Sequence, residues 1–526
     1  MVLGKHGFAL TPLTADKTTR LQRNAQYKQI EQADIAYFRS ILPESSILEE
    51  SSCPQDTYLA FLTDWYNLYR GSSAVVLLPT TTDQVLAILK YCNDHHIAVV
   101  PQSGNTSASG GSVPVFDEIV VSTKKMENIR SFDPLSGALV CDAGCNLETL
   151  DTYLAQYGYQ IPLDLPAKHL CRIGGNAATN AGGIRQMRFG NLHGSIMGLE
   201  VVLADGTVLD NLSTMRKDNT GYHLKNLFIG SEGTLGYITA VSIQAVRVRP
   251  AVNVLMIGFP SYDHVVKAYD LCKKRLSETI SAFEVLDQDS VRCVQQVGFQ
   301  VPEGSPFPIS SDEAFYVVME TAGSIEEDEK KRVQNFLDEL RSSDIATDGA
   351  IATTAEARES FWSWRTKLPP SIVQTGPHSI HFDISMPIPK LYQVVYDTRE
   401  WMNKQGIIGR DVVAVYGYGH VGDGNLHLTI PALIDSEELR EKIDEFIYTW
   451  LTQYSGSVSA EHGIGLMKAP YLTYTKSVTM VNQMQRIKNM FDPNGILNPY
   501  KVFPQEHELL EGQAVKRRVQ AARCGC

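Results

Sequence analysis

Three glycine-rich and nearly uncharged segments constrain this chain more than any other feature of it. They read PQSGNTSASGGS (101–112), GGNAATNAGG (174–183) and GSEGTLG (230–236). Glycine permits positive φ, and consecutive exposed amides beside small polar side chains form a concavity suited to a pyrophosphate. The glycine spacing is neither G-x-G-x-x-G nor that of a P-loop, and no Lys-Ser/Thr pair follows, which excludes those two nucleotide folds. A single loop of this kind could be a bare turn. Three in one stretch, each mixing glycine with Asn, Thr or Ser, point to a dinucleotide lying along the backbone.

These segments alternate with strand and helix patterns. AVVLLP (from Ala74) is a short apolar run, TTDQVLAILKYCNDHH is helical with apolar Val85, Leu86, Ile88 and Leu89, and IAVVP (from Ile97) is apolar again, so a strand–helix–strand unit opens the domain. DEIVVST, GALVCDAG, GLEVVLADGTVLD and YITAVSIQAV add β-rich runs, and Asp205-Gly206 is a hairpin signal. Beyond VRVRPAVNV, EAFYVVMETAG and HFDISMP are strand-like, while EEDEKKRVQNFLDELRSS, PKLYQVVYDTREWMNKQ and DSEELREKIDEFIYTWLTQY are helical. The expected fold class is α+β. Its expected parts are an amino-terminal segment (1–59), a first domain (60–250), a second domain (251–460), a carboxy-terminal segment (461–505) and a disordered tail (506–526).

Composition narrows the partners. With 47 Lys+Arg against 59 Asp+Glu the formal charge is −12 and no basic stripe offers itself to phosphodiesters, so no nucleic-acid partner is expected. No apolar run reaches the length of a membrane-spanning helix, so no transmembrane segment is expected. The nine cysteines are odd in number and thinly spread, which argues against a disulfide framework. Cys141 and Cys145 have the spacing of half a zinc site, but no second Cys/His pair follows nearby, so they are expected to be core thiols. Lys5, Lys17, Arg20, Arg23 and Lys28 near the start are compatible with a mitochondrial presequence, the alternative being a frayed terminus of a cytoplasmic protein. The closing Cys-Gly-Cys is not a C-a-a-X box.

A second constellation lies in the carboxy-terminal half. His420-Val-Gly-Asp-Gly-Asn-Leu-His427 joins the apolar run DVVAVYGYG to the alternating LHLTIP, so two His seven apart can present neighbouring imidazoles across a turn. Glu461-His462, flanked by Gly463 and Gly465, adds a carboxylate and a third ring. A lone His is usually structural. Nitrogen and oxygen donors together, with an open position, describe a site for a borderline divalent metal such as Zn or Mn.

Taken in order with DNTGYHLKNLFIGSEGTLG, GYGHVGDGNLHL, SVSAEHGIG and DPNGILNPYK, these segments resemble the flavoproteins of the vanillyl-alcohol oxidase (PCMH-type) fold. Within that fold the chain is most similar to the D-2-hydroxyglutarate dehydrogenase branch, near the D-lactate dehydrogenases, over residues 15–505. The resemblance implies a two-part PCMH-type FAD-binding domain, an α/β substrate (cap) domain, and a carboxy-terminal helical segment that returns to the flavin. It implies FAD held without a covalent bond, since the first loop lacks the His through which some members attach it. Pro101, Gly104, Asn105, Thr106, Gly110, Gly111 and Ser112 of the first segment would contact the cofactor. Gly175, Asn176, Thr179, Asn180, Gly183, Glu232 and Asn498 would hold the remainder.

By the same resemblance His420, His427 and Glu461 would bind the divalent metal, with Zn the first choice, and His462 would be the catalytic base. Asn425 would hold the substrate hydroxyl, and Arg365 (in FWSWRTK) and His381 would meet substrate carboxylate. The implied reaction removes the hydroxyl proton of a D-2-hydroxy acid and passes hydride from C2 to FAD. Two positions depart from the branch. His381 stands where a Lys is usual, and Pro369 stands where some members carry a hydroxyl, so D-lactate or another D-2-hydroxy acid competes with D-2-hydroxyglutarate as substrate. The implied electron acceptor is an electron-transferring flavoprotein in mitochondria or a 2-oxo acid in the cytosol, and the sequence leaves the oligomeric state open, a homodimer being one candidate. Competing readings are a metal hydrolase, a flavoprotein transferase such as the ether-lipid synthases, and a flavoprotein that only binds.

Overall fold

The computed structural model describes residues 20–297 and 307–524, with side chains to residue 519. The chain divides into two compact units. The first comprises Met1–Gly182, Gly190–Val248 and Glu461–Ala514, and the second Gly183–Phe189, Arg249–Ala460 and Val515–Cys526. Lys5 and Lys17 of the expected presequence lie outside the described residues. The three basic residues that follow are engaged in ion pairs: Arg20 with Glu508 at 2.7 Å, Arg23 with Asp117 at 2.6 Å and Lys28 with Asp34 at 2.8 Å.

In the first unit Val76–Leu77, the helix Thr82–Asp94 and Val99–Gln102 form where the apolar runs place them. Thr81 caps the helix by accepting from the Gln84 amide at 3.3 Å. The two strands are not neighbours, however. Ile119–Ser122 lies between them and parallel to both, and Ile47–Leu48 adds an antiparallel edge to give a four-stranded sheet. Local periodicity announces a crossover but says nothing about a later strand that fills the gap. Val85, Ile88 and Leu89 pack against Val99, Ile119 and Val121, and the same core takes in Ile496 and Leu497 from the carboxy-terminal segment.

A five-stranded antiparallel sheet follows, in the order Ile129–Asp133, Ala138–Asp142, Tyr237–Gln244, Ile196–Val202, Val208–Asn211. Asp205-Gly206 forms the turn of its last hairpin, with Gly206 at φ +87° and the Leu203 amide donating to the Thr207 carbonyl at 2.8 Å. Cys141 and Cys145 are free thiols in the core beneath this sheet. The return of the chain from the helix Val478–Phe491 is organised by one buried ammonium. Lys488 donates to the Asp492 carboxylate, to the Thr234 carbonyl at 2.7 Å and to the Leu497 carbonyl at 2.8 Å, while Asp492 accepts from the Leu497 amide at 2.8 Å.

The second unit is built on a seven-stranded sheet whose paired strands are all antiparallel. The order is Asp348–Ile351, Ala251–Phe259, Phe315–Gly323, Ile280–Asp287, Tyr416–His420, Asn425–Ala432, His378–Ser385. Every residue of Phe315–Gly323 and of Ile280–Asp287 is buried, which is why these strands read as continuous apolar runs rather than alternating ones. One face is covered by the helix Ala355–Thr366 and its successor Leu368–Val373, whose Phe361, Trp364, Leu368 and Ile372 pack on Met256, Val318, Leu286 and Tyr418.

The tail expected to be disordered is instead a helix, Glu506–Cys524. Its apolar residues are too sparse to show a helical period, and local contacts compensate. Glu508 pairs with Arg20 and accepts from the Gln505 amide at 2.7 Å, and a Cβ on Gly512 would fall 1.9 Å from Thr473 Oγ1. Gly525 and Cys526 of the Cys-Gly-Cys ending lie outside the described residues. No helix among the described residues is long and apolar enough to cross a membrane.

Replacing Lys488 by Met leaves the Asp492 carboxylate buried without its counter-charge. Breaking a buried pair from one side costs about 3–5 kcal/mol, so the melting temperature of the first unit is expected to fall by about 6–20 °C. A thermal melt within about 2 °C of the parent would show that the pair does not carry the carboxy-terminal return.

Candidate active site

The glycine-rich segments are shaped by close packing and by left-handed backbone. A Cβ on Gly104 would sit 2.6 Å from the Leu170 carbonyl oxygen and one on Gly175 would sit 2.8 Å from Ser103 Cβ. Non-glycine residues also take positive φ: Asn105 at 50°, Asn180 at 49°, Glu232 at 53° and Asn498 at 45°. Asn tolerates this region because its short polar side chain bonds locally, whereas Glu there is uncommon.

Two of the expected cofactor residues do something else with their side chains. Asn105 donates to the Ala60 and Thr63 carbonyls at 2.8 and 2.9 Å and accepts from Ser112 Oγ at 2.8 Å. Asn498 donates to the Gly111 and Glu232 carbonyls at 2.9 and 2.7 Å and accepts from Lys501 Nζ at 2.6 Å. Both side-chain amides brace the loops through backbone carbonyls.

Asn176 behaves differently. It is buried, and its side-chain oxygen has no partner among the described residues. An orphaned buried acceptor is destabilising by about 1–3 kcal/mol and calls for a donor from outside the chain. With the hydroxyls and amides around it, this acceptor fits a dinucleotide cofactor rich in hydroxyl groups.

In the same unit His462 opens a tight turn. Gly463 and Gly465 have φ of +81° and +53°, and a Cβ at either would meet the Glu232 carboxyl carbon at 2.9 Å or the Ser109 carbonyl oxygen at 2.3 Å. Only glycine fits at either place. Glu232 accepts from the Ile464 and Gly465 amides at 2.7 and 2.8 Å, and Ser109 Oγ donates to the His462 carbonyl at 3.2 Å. Glu232 thus directs its carboxylate to the turn after His462. Burial raises its pKa against the opposing pull of those two amides and of Lys468 and Lys501. His462 Nε2 lies 3.8 Å from Glu461 Oε1.

In the second unit the sheet carries a line of polar groups across one face. Strand pairing places Glu284 opposite His420, Asn425 opposite both His420 and Ser385, and Asp383 opposite His427. The hairpin that sets the two imidazoles is closed by the short helical turn Val421–Asp423 and by Gly424 at φ +72°. His420 Nδ1 is 2.6 Å from Glu284 Oε1, and His420 Nε2 is 3.3 Å from His427 Nε2. A proton on Nδ1 for the carboxylate leaves the Nε2 lone pair available. Two imidazole ligands of a tetrahedral cation, each at about 2.0–2.1 Å, stand about 3.3–3.4 Å apart, so the donor set fits a divalent metal. A carboxylate behind a metal-binding imidazole is the usual orienting partner.

Glu284 also accepts from Arg365 Nε at 2.9 Å. Burial alone would push its carboxyl up, but the His420 and Arg365 charges outweigh it and hold it below the usual range. Arg365 belongs to Ala355–Thr366, and three residues earlier Trp362 Nε1 donates to Glu320 at 3.1 Å, where Arg185 forms a fork at 2.9 and 3.2 Å. One helix therefore serves two carboxylates that interrupt neighbouring apolar strands.

Asn425 Nδ2 donates to Asp383 Oδ1 at 3.0 Å and to the Ile384 carbonyl at 3.1 Å, so its amide hydrogens hold the neighbouring strand and its carbonyl oxygen is the atom with which it would meet a substrate hydroxyl. Asp383 and Glu284 are the carboxylates of this polar face that motif reading missed. Asp383 is buried, accepts from the Ala460 amide and Ser459 Oγ at 3.2 Å each, and offers an oxygen within 4.8 Å of a His427 ring nitrogen. Their signal in the sequence was a carboxylate inside an apolar strand, in ISAFEVLD and HFDIS. His381 shares this face, with Nδ1 3.4 Å from Thr429 Oγ1, and Thr429 in turn lies 3.1 Å from the Tyr418 hydroxyl.

Residues 73–211 match the FAD binding domain family, and residues 248–502 match the family of FAD linked oxidases, C-terminal domain. A D-2-hydroxyglutarate–pyruvate transhydrogenase of Saccharomyces cerevisiae is 42% identical over 93% of this chain and 98% of its own length. Mitochondrial D-2-hydroxyglutarate dehydrogenases of Danio rerio and Arabidopsis thaliana are 45% and 44% identical over 91% and 92% of this chain, and 86% and 84% of theirs. Solved structures of similar fold include alkyldihydroxyacetonephosphate synthase (TM-score 0.69, 15% identity, 94% of this chain and 90% of that one). Another is p-cresol methylhydroxylase with substrate bound (TM-score 0.68, 17% identity, 91% and 98%). At such identities these two structures establish the fold, the α+β arrangement of PCMH-type flavoproteins. With its FAD-binding and FAD-oxidase parts matched and its relatives similar over nearly their whole length, the chain belongs to the family of FAD-dependent oxidoreductases that contains the D-2-hydroxyglutarate dehydrogenases.

Proposed function

We propose that this protein oxidises a D-2-hydroxy acid, D-2-hydroxyglutarate first, to the corresponding 2-oxo acid, with noncovalent FAD, a divalent cation and His462 as base. The observation that carries the site assignment is the pair of imidazole nitrogens 3.3 Å apart, one of them backed by the Glu284 carboxylate. His420 and His427 would hold the cation with Glu461. Zn suits two imidazoles and a carboxylate with a position left open. FAD, when bound, supplies the acceptor for the hydride that leaves C2, and the cation supplies Lewis acidity that lowers the pKa of the substrate hydroxyl.

The chain's own residues do the rest. His462 takes the hydroxyl proton, a task suited to an imidazole within reach of the substrate. Glu284 fixes the His420 tautomer and, by engaging Arg365 Nε, leaves the terminal guanidinium nitrogens to pair with the substrate carboxylate. Asn425 and the Ala460 amide hold Asp383 beside His427. The glycine-rich loops present backbone amides and Asn176 to the cofactor.

D-lactate is the second reading, favoured by one observation: His381, on the same face as Asp383 and His427, stands 3.4 Å from the Thr429 hydroxyl, and its ring is shorter than the Lys side chain that would reach a second carboxylate. The relatives from Danio rerio and Arabidopsis thaliana are named mitochondrial, and with the basic start of this chain they favour a mitochondrial location. The yeast relative's name pairs D-2-hydroxyglutarate with pyruvate, which makes a 2-oxo acid a competitor of an electron-transferring flavoprotein as acceptor.

Anaerobic titration of the FAD- and metal-replete protein with D-2-hydroxyglutarate is expected to bleach the oxidised flavin band. A band unmoved by this acid and by D-lactate would overturn the proposed reaction. His462→Ala is expected to keep FAD while flavin reduction slows by about 10²–10⁴-fold. For Glu284→Gln, chelator competition should show metal affinity reduced about 10–100-fold with FAD content unchanged. His381→Lys is expected to raise the ratio of kcat/KM for D-2-hydroxyglutarate over D-lactate by about tenfold, and an unchanged ratio would remove His381 from the selectivity.

A further inference from the structure

We infer that Glu232 is a positioning residue for His462, clamping the turn that follows the base, and that Asn498 and Lys501 hold Glu232 in place. The inference rests on the reading of His462 as the base. All of its contacts lie within the first unit.

Each polar group of Glu232 is engaged by a different part of the chain. Its amide donates to the Ala178 carbonyl at 2.8 Å, in the middle of the second glycine-rich segment. Its carbonyl accepts from Asn498 Nδ2 at 2.7 Å, and the same nitrogen reaches the Gly111 carbonyl of the first segment at 2.9 Å. Its two carboxylate oxygens accept separately from the Ile464 and Gly465 amides at 2.7 and 2.8 Å. The backbone of Glu232 is left-handed, φ 53°, a conformation unusual for Glu that these contacts hold.

The turn is gripped from its other sides as well. The Leu466 and Met467 amides reach the Ser109 carbonyl at 2.9 and 3.1 Å, and the Val502 amide reaches the Gly465 carbonyl at 2.9 Å. Val502 sits at φ +70°, which a β-branched residue adopts only under constraint. Beside it Lys501 is buried, bonds Asn498 Oδ1 at 2.6 Å, and has Glu118 and Glu232 as its nearby opposite charges. Burial pushes the Lys501 ammonium down to about 8, against the opposing pull of the Glu118 and Glu232 carboxylates, which favour its charged form. A carboxylate offers an acceptor to both amides at once. A carboxamide of the same shape sets an NH₂ group against one of them, which displaces the turn while leaving the loop volume unchanged.

The test is Glu232→Gln, followed by three measurements: FAD affinity of the apoprotein, the limiting rate of anaerobic flavin reduction by D-2-hydroxyglutarate, and the substrate concentration at half that rate. A catalytic group misplaced by about 1 Å loses about 100-fold, so the limiting rate is expected to fall by that factor while FAD affinity and half-saturation change by less than about threefold. A parental rate, or loss of FAD binding in place of rate, would overturn the inference, the latter by making Glu232 a cofactor ligand. If Glu232→Gln does not accumulate, Gly463→Ala pushes the turn off the same carboxylate and is expected to show the same split. His462→Ala in parallel separates the two levels. A slow His462→Ala beside a fast Glu232→Gln removes only the positioning role, and a fast His462→Ala removes the base itself.

Discussion

A charged carboxylate inside an apolar strand is the constraint around which the second unit is arranged. Glu284 lies on a strand whose eight residues are all buried, and it is kept ionised by His420 and Arg365. Burying such a group is unfavourable unless its charge is matched and its lone pairs are used, and a matched pair of this kind is weak evidence for stability. Its worth lies in what it orients. One oxygen fixes the tautomer of an imidazole, the other takes the inner nitrogen of a guanidinium, and the two side chains are thereby held by a single carboxylate. Glu320 repeats the device one strand away with Arg185 and Trp362, so the helix that roofs the sheet is registered by polar bonds as well as by Phe361 and Trp364.

The first unit solves a different problem with similar means. Its loops must stay open to a cofactor, so they cannot be fixed by filling the space between them. Asn105 and Asn498 hold them from behind through backbone carbonyls, and Lys488 does the same for the carboxy-terminal return. Left-handed Asn and Glu residues occur in each glycine-rich segment, where strain is tolerated because several bonds converge on each residue. Preorganisation of this kind moves the ordering of the loops into folding and away from ligand binding.

Much of this was legible in the sequence, and the failures have physical causes. The two His, the turn between them and the Glu-His-Gly motif were readable because glycine and histidine in fixed spacing have few structural uses. The hairpin at Asp205-Gly206 and the long helices were readable from turn chemistry and period. The strand between Val76–Leu77 and Val99–Gln102 was not, because sheet order depends on pairing at long range. The helix over 506–524 was missed because a few bonds from Glu508 and a tight glycine contact replace an apolar face. The bonds that Asn425 and Asn498 donate to the protein were not legible, since an amide side chain carries no mark of which backbone it will meet.

Fold alone would not have decided between oxidation and group transfer. A synthase and a hydroxylase share this architecture with the chain at 15% and 17% identity, so the scaffold is common to distinct chemistries. What distinguishes the protein lies on the sheet of the second unit, where paired imidazoles, Asp383 and Arg365 stand together. A hydrolase would use the same donors to activate water, but it would have no need for three glycine-rich loops shaped by left-handed Asn105, Asn180 and Glu232, nor for an orphaned Asn176 oxygen among them. The loops and the donor set make sense together only when a redox cofactor and an alcohol-bearing acid are handled by one protein. That requirement explains why polar positions interrupt otherwise apolar elements in both units.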